Sequence, residues 1–559
     1  MNAPAGALLF DGEIRDREQL KSARKDVRVQ GFDVFLAGFA RALLARSDFG
    51  PVYVTREAAA SFLRGAPPWL QEHAARLSPV SANDPSELSE IERLVLLSVG
   101  PEMIQFAWLR SRLQRPDWPI TAVLHSLSPA PRIRYFFTSA LLPTLGRHDA
   151  FVCPSRAAKR AMENLFLSVP EEVRACPEIP FEMPVIPFGV DTAEHGAVDR
   201  QAARDTHGIP ESAVALLCFG RLAPDKCDLL PLLIAFSQLP EHALLLVAGD
   251  DTQLRMGSPL QGVARELGCG DRVRVLTDVS RTTKLELLAA ADLFVAPTEN
   301  TQESFSLTIA EAMASGLPVV TSDWGAHGEL VEHGKTGFLV PTYLPPVEAP
   351  WHTLTLYSGV PQENLISMST AVDVDHLLHA LRLLLDNAEL RQSLGREARR
   401  RAVETLDWGT VIARYDALWR ELLERGRAVG ARSGAFACSS FQEVFAEYPT
   451  RSLQGIDHVE INGALGGVAR RLPGVFGTSP HFNADLFERV LAALESAGPT
   501  RIDRLVEIAA PRPGAANGGT ATEIERHIGR LVKYGVLRVS ASPVPGEGTL
   551  PHPRRNQAF

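Results

Sequence analysis

The chain has 559 residues, too many for one hydrophobic core, and its 45% hydrophobic and 22% charged residues are typical of globular proteins. With 57 basic and 66 acidic residues the formal charge is −9, which gives no chain-wide electrostatic case for nucleic-acid binding. We expect neither a secretory signal nor a transmembrane segment, because the apolar stretches are only strand-sized. Six scattered cysteines without a C-x-x-C pair argue against a disulfide framework or metal cluster and favour the cytoplasm.

Short apolar runs alternate with helical patterns along the first 420 residues, which predicts parallel sheets covered by helices. The predicted strands of the first series are 7–10, 51–54, 94–99, 120–125 and 150–153, with helices at 32–45, 103–113 and 156–165. A Pro-rich stretch, 177–192, reads as a linker, with Gly189 permitting a sharp turn. Taken alone, an ordinary turn is the simpler interpretation of that glycine.

A second α/β series follows the linker. Its predicted strands are 213–220, 243–249, 272–276, 293–297 and 318–322, with a helix at 229–238 and helical residues at 385–426. Residues 341–370 carry several prolines and read as an insertion. We therefore predict an N-terminal Rossmann-like domain at 1–188 and a second at 189–426. The terminal helix, 410–426, is expected to be able to pack back on the first domain.

The segment 299–322, ENTQESFSLTIAEAMASGLPVVTS, is the most informative part of the chain. We predict Glu303 in the loop after strand 293–297 and Glu311 inside the following helix, with Ser304 or Ser306 as N-cap. A helix that begins at the carboxyl end of a parallel strand can bind phosphate, and a carboxylate can accept two hydrogen bonds from a vicinal diol. Two unrelated surface glutamates are an equally good interpretation of this pair alone.

The sequence FGRLAPDKCDLL places Arg221 and Lys226 immediately after a predicted strand and Gly220. Two cations on a turn into a helix can neutralise a diphosphate leaving group. Taken alone, a solvated loop with ordinary surface cations is the better interpretation. The function of this turn depends on what lies beside it.

In order along the chain, IPFGVD (186–191), GRLAPDK (220–226), ESFSLTIAE (303–311) and GLPVV (316–320) resemble the family 4 glycosyltransferases. HGELVEHGKTGFLV (327–340) and ETLDW (404–408) match as well. The resemblance covers residues 145–425 well and the first 145 loosely. It implies the GT-B fold, in which two Rossmann-like domains face a cleft, and a retaining, metal-independent hexosyltransferase that uses a nucleotide-diphosphate sugar as co-substrate and no cofactor.

The resemblance also implies roles for individual residues. Arg221 and Lys226 would bind the diphosphate, Glu303 would contact the donor sugar, and Glu311 would hold the ribose. His125, at the end of a predicted strand, would reach the donor sugar from the first domain; without the resemblance it reads as a polar strand end. The remaining donor-binding candidates are Gly220, Ser304, Phe305, Ser306 and Leu307, and no metal ligands are predicted.

Two departures from the family pattern bear on activity. Ser306 stands where the family usually has glycine, which narrows the space beside the donor. The Gly-Gly loop after the first strand is missing, with Gly31 alone in the nearest candidate, 29–40. The acceptor, whether glycan, lipid-linked sugar, protein or small molecule, is therefore not specified, nor are the sugar and base. A catalytically weakened GT-B scaffold and a sugar-nucleotide sensor remain alternatives.

Residues 435–545 form a third predicted unit, followed by a loose tail at 546–559. Predicted helices at 485–495, from Thr500, and at 522–533, then a strand at 536–539, suggest a winged-helix-like module. Its charge between 485 and 540 is nearly balanced, with eight basic and seven acidic residues. Arg526, Arg530 and Lys533 recur at helical spacing, but a solvated face is a better interpretation than DNA binding. We expect a protein-docking or substrate-presenting module, which could bind a protein partner or self-associate.

Overall fold

The protein is described by a computed structural model. It describes residues 5–11, 31–56, 59, 68–81, 85–126, 145–167, 178–223, 226–252, 254–300, 302–344, 367, 370–429, 453–462, 483–510, 521–533 and 536–540. Two compact units divide the chain. The larger contains residues 1–54, 58–79 and 91–436, and the smaller contains 55–57, 80–90 and 437–559.

The first half of the larger unit is built on a six-stranded sheet of order β3-β2-β1-β4-β5-β6. Its strands are β1 (Ala7–Asp11), β2 (Val52–Thr55), β3 (Leu77–Val80), β4 (Leu94–Ser98), β5 (Ile120–Val123) and β6 (Ala150–Val152). Pairing is parallel in β2-β1-β4-β5-β6, and every residue of β4, β5 and β6 is buried. Burial on both faces explains why these strands are continuous apolar runs.

Helices α1 (Gly31–Arg46), α2 (Pro68–Glu72), α3 (Ile104–Arg112) and α4 (Arg156–Leu167) belong to this half. Strand β3 is absent from the sequence prediction. The predicted linker is also more ordered than expected: Phe151 N–H donates to the Glu182 carbonyl and Ile186 N–H to the Cys153 carbonyl. Residues 182–186 therefore run parallel to β6 and extend the edge of the sheet.

A second parallel sheet, of order β12-β11-β10-β7-β8-β9, forms the other half. Its strands are β7 (Val214–Phe219), β8 (Ala243–Gly249), β9 (Val273–Thr277), β10 (Leu293–Ala296), β11 (Val319–Ser322) and β12 (Gly337–Val340). The helices are α5 (Arg200–Thr206), α6 (Leu230–Ser237), α7 (Gly257–Glu266), α8 (Arg281–Ala290), α9 (Leu307–Ala314), α10 (His327–Leu330), α11 (Val374–Asp386), α12 (Ala388–Thr405) and α13 (Trp408–Arg427). Strand β12 was not predicted.

Helix α13 packs on α1 of the first half, where Trp408, Tyr415 and Trp419 are buried with Phe35 and Phe39. Trp408 also explains Gly189. A Cβ at Gly189 would lie 2.4 Å from the indole ring, so this glycine makes room for Trp408. The sharp turn expected at Gly189 from the sequence does not explain why glycine stands there, because φ of Gly189 is not in the left-handed range.

The base of the predicted insertion is a two-stranded antiparallel pair, β13 (Thr342–Tyr343) with β14 (Ala371–Val372). Residues 345–366 of the insertion, part of the acceptor loop candidate, 29–30, and the tail, 546–559, lie outside the described residues. Within the described helices, none is long and apolar enough to cross a membrane.

The smaller unit contains α14 (Ala484–Ala497), α15 (Ile502–Ala509) and α16 (Ala521–Lys533). They pack with an antiparallel sheet of order β16-β15-β17, formed by β15 (His458–Ile461), β16 (Thr500–Arg501) and β17 (Leu537–Ser540). The sequence predicted the three helices and the last strand but not β15 and β16. The expected cap, Thr500, is a strand residue whose hydroxyl donates to the Gly498 carbonyl, and Arg501 precedes α15.

Candidate functional site

The candidate site is built at the carboxyl ends of β7, β8 and β10. After β7 the chain turns at Gly220, and Arg221 and Lys226 follow, both half-buried. The turn packs closely on β8: a Cβ at Gly249 would lie 1.6 Å from the Gly220 carbonyl oxygen, whereas one at Gly220 would meet nothing within 4 Å. The position that requires glycine is therefore Gly249, which the sequence did not single out.

Lys226 and Glu303 form a direct ion pair between the turn after β7 and the loop after β10. The Thr298 hydroxyl donates to the Lys226 carbonyl at 2.6 Å, which ties the same two segments together through the backbone. As predicted, Glu303 precedes a helix that contains Glu311. The structure thus brings together a cation and a carboxylate that are 77 positions apart in the chain.

Helix α9 begins at Leu307 with Ser306 at its N-cap position, as the sequence predicted. The Ser306 hydroxyl does not accept a hydrogen bond from the helix; it lies 3.3 Å from the Thr308 hydroxyl. Ser304, the other predicted N-cap, does not cap the helix. Its hydroxyl donates a 2.5 Å hydrogen bond to the His125 carbonyl. This bond connects the start of α9 with the first half of the unit.

His125 lies two residues after β5, among aromatic rings. Its ring centroid is 4.5 Å from that of Phe35 and 5.1 Å from that of Phe188, and Phe188 is in turn 5.1 Å from Phe305. Three of the predicted site residues therefore lie close together, namely His125, Ser304 and Phe305. Glu303 is next to Ser304 in the chain and belongs to the same region. Aromatic packing holds the His125 ring in place.

Glu311 lies in the interior of α9 and is 6% exposed. Its Oε1 accepts a 2.8 Å hydrogen bond from the Lys284 ammonium, which is equally buried. Lys284 was missed in the sequence, since a lysine in an amphipathic helix gives no signal of its own. Oε2 of Glu311 has no hydrogen-bond partner among the described residues.

Two further buried ionisable groups lie behind the Lys226–Glu303 pair. Burial raises the pKa of Glu299 to about 8, and the nearby Asp228 carboxylate adds to this, while the Asp228 N–H, 3.3 Å from Oε1, opposes it. Burial also lowers the pKa of His327, with Glu303 acting in the opposite direction. Both were missed because nothing in their local pattern indicates burial.

The first half of the unit contributes a second contact to the start of α9. The Ser155 hydroxyl donates to the Ser304 carbonyl at 2.8 Å. The Glu329 carboxylate accepts from the backbone N–H groups of Arg156 and Ala157, at 2.8 and 2.7 Å, and so caps α4. Among the described residues, no group of three or more His, Cys, Asp or Glu side chains is arranged to hold a metal ion.

Residues 213–348 match the family model described as Glycosyl transferases group 1. A D-inositol 3-phosphate glycosyltransferase 2 of Catenulispora acidiphila is 33% identical over 192 residues, which are 33% of this chain and 44% of the relative. A D-inositol 3-phosphate glycosyltransferase of Geodermatophilus obscurus is 37% identical over 164 residues, 28% of this chain and 36% of the relative. The chain therefore spans less than half the length of these curated relatives.

Among solved structures, sucrose-phosphate synthase from Thermosynechococcus elongatus is similar to this chain with a TM-score of 0.50 and 18% sequence identity. The similarity covers 75% of this chain and 100% of the synthase. That likeness concerns the fold. Two six-stranded parallel sheets with flanking helices give the same architecture. Residues 213–348 are therefore similar to the Glycosyl transferases group 1 family and lie within a GT-B fold.

Proposed function

We propose that the chain is a glycosyltransferase that moves a sugar from a nucleotide-diphosphate sugar to an acceptor hydroxyl, with retention of anomeric configuration and without a metal. The Lys226–Glu303 pair carries this proposal, because it sets a cation at the mouth of a helix, beside the contact between Ser304 and His125. Positive charge that is already in place can stabilise the anion that develops on a departing diphosphate.

In the proposed reaction Lys226 and Arg221 bind the diphosphate as the bond between the anomeric carbon and the phosphate oxygen breaks. The acceptor oxygen then bonds to that carbon from the same face, and its proton leaves with the diphosphate. Glu303 and the backbone at Ser304 to Ser306 hold the donor sugar. Glu311 offers Oε2 to the ribose hydroxyls, and His125 closes the sugar site from the first half of the unit.

The acceptor proposal is coarser, because the curated relatives match only 33% and 28% of this chain. Their names refer to D-inositol 3-phosphate, so a phosphorylated polyol is one acceptor to test beside neutral sugars. We propose no particular acceptor from the geometry, since residues 12–30 and 127–144 lie outside the described part of the chain. Donor hydrolysis is therefore the reaction to measure first.

The test is donor binding and turnover with UDP, GDP, ADP and their sugars. A nucleoside diphosphate that binds should raise the melting temperature. Lys226→Ala should abolish donor turnover while the fold is kept, and so should Glu311→Gln, which keeps an acceptor oxygen for the buried Lys284 ammonium. Lys335→Met and Glu241→Gln are matched controls, because both side chains are exposed and far in sequence from the site segments. Full turnover in both site variants, or no response to any nucleotide, would contradict the proposal.

A further inference from the structure

Lys284 forms a buried ion pair with Glu311 that is unlike the many surface pairs of this chain. The two side chains are each 8% exposed, and Nζ lies 2.8 Å from Oε1. A buried carboxylate without a partner would carry an uncompensated charge at a cost of several kcal/mol, which the ammonium offsets. The pair therefore holds the Glu311 carboxylate in a fixed orientation.

The position of Lys284 is not explained by the stability of its own helix. Lys284 lies in the first turn of α8, whose N-cap Ser280 accepts from the Thr283 N–H. A cation is unfavourable in that turn because the helix dipole places partial positive charge there. Lys284 is therefore placed where its charge is unfavourable for its own helix but pairs with Glu311 of α9, so the interaction with Glu311 accounts for its position.

The pair also lies beside the diphosphate turn. Lys284 Nζ is 5.9 Å from the ring centroid of Phe219, the last residue of β7, and Gly220 follows directly. Nδ1 of His195 lies 3.2 Å from the Ser315 hydroxyl oxygen, within hydrogen-bond distance. Burial lowers the pKa of His195, and the Glu311 carboxylate acts in the opposite direction. Glu311 is thus enclosed on the protein side, and Oε2 is the oxygen left for a ligand.

Building on the proposed function, we infer that Lys284 is a positioning residue for recognition of the ribose. It occupies Oε1 of Glu311 and presents Oε2 as a charged acceptor to the 2′- and 3′-hydroxyls of a nucleoside diphosphate. Charge-assisted hydrogen bonds are about twice as strong as neutral ones and depend on a fixed geometry. The pair therefore selects ribonucleotides over 2′-deoxyribonucleotides, and Lys284 contributes to that selection without touching the ligand.

The experiment measures dissociation constants of UDP, GDP or ADP, whichever stabilises the protein most, and of the 2′-deoxy form of the same nucleotide. For the wild-type protein we expect the ribonucleotide to bind roughly tenfold more tightly, the value of one good hydrogen bond to a charged group. Lys284→Met should weaken ribonucleotide binding about tenfold or more and bring the ratio of the two constants close to one. Lys335→Met, which removes an exposed lysine paired with Glu332, should leave both unchanged.

A double-mutant cycle separates positioning from general stability. In a Glu311→Gln background, Lys284→Met should change the ribonucleotide constant less than about twofold, because the lysine acts through the carboxylate. If Lys284→Met fails to fold, Lys284→Gln replaces it with the same expectation. An intact preference for ribose in a folded Lys284 variant would overturn the inference. A wild-type protein that binds no nucleotide would overturn the proposed function instead.

Discussion

The hydroxyl of Ser155 donates a 2.8 Å hydrogen bond to the backbone carbonyl of Ser304, 149 positions later in the chain. Ser304 in turn donates through its own hydroxyl to the His125 carbonyl. The residue next to Glu303 is therefore held at both its carbonyl and its side chain by the first half of the unit. The loop before α9 is therefore held by contacts from the other half of the unit.

Glu329 should stabilise the junction between the two halves. Its carboxylate accepts two N–H bonds at the start of α4. Glu329→Gln keeps one acceptor oxygen but loses the charge, and we expect it to lower the free energy of unfolding by about 1 kcal/mol. Chemical denaturation checks this, with the exposed Glu241→Gln as the control. Equal stability of the two variants would show that the cap contributes nothing.

Glu303 should compete with the diphosphate for Lys226. Because the two side chains pair directly, a bound diphosphate has to displace or share the ammonium. Glu303→Gln should therefore tighten nucleoside diphosphate binding about three- to tenfold, while donor turnover falls because the contact to the sugar is weakened. Calorimetry and a hydrolysis assay measure the two effects. Weaker diphosphate binding in this variant would contradict the competition.

Glu299 should make stability depend on pH. Burial raises its pKa from 4.5 to about 8, so between these pH values the folded protein binds a proton that the unfolded chain does not. The free energy of unfolding should then fall as pH rises through this window, by up to about 1.4 kcal/mol per unit. Glu299→Gln, which keeps an acceptor for the Asp228 N–H, should remove this slope.

The measurement for Glu299 is denaturant unfolding between pH 5 and pH 9. At pH 9 the glutamine variant should be the more stable protein, and near pH 5 the two should differ little. Glu241→Gln should follow the wild-type profile, since Glu241 is exposed. A wild-type slope that persists in Glu299→Gln would assign the pH dependence to another group.

Gly189→Ala should destabilise the protein through Trp408. The added methyl would lie 2.4 Å from the indole, so the ring or the backbone has to move, at a cost of about 1–3 kcal/mol. Gly262→Ala is the matched control, because a Cβ in that helix position meets nothing within 4 Å. We expect that change to be neutral or to stabilise by up to about 1 kcal/mol. Thermal unfolding of the two variants gives the comparison.

The parallel sheets could be predicted from the sequence because their strands are buried on both faces. Strands such as β4 and β8 are unbroken apolar runs, and the predicted bounds differ from the observed ones by a residue or two. Strand β3 was missed because its sequence, LSPV, is only partly buried and contains proline. Strands β15 and β16 were missed because they are short and depend on pairing with distant residues.

The candidate site also combines features that could be predicted from the sequence with others that could not. The turn with Arg221 and Lys226 and the helix with Glu311 could be predicted as structural elements from their local patterns, whereas the roles expected of these residues rested on the family resemblance. Lys284, which pairs with Glu311, and Glu329, which caps α4, belong to other elements, and their own sequence surroundings are those of ordinary surface helices.

The alternation of strands and helices, and the residues that follow β7 and β10, can be read from the amino-acid sequence alone, because periodicity and turn chemistry are local properties. The ion pairs, such as Lys226 with Glu303 and Lys284 with Glu311, are known only from the three-dimensional fold. Burial and electrostatic pairing depend on distances in space, and parallel sheets bring together side chains that are far apart along the chain.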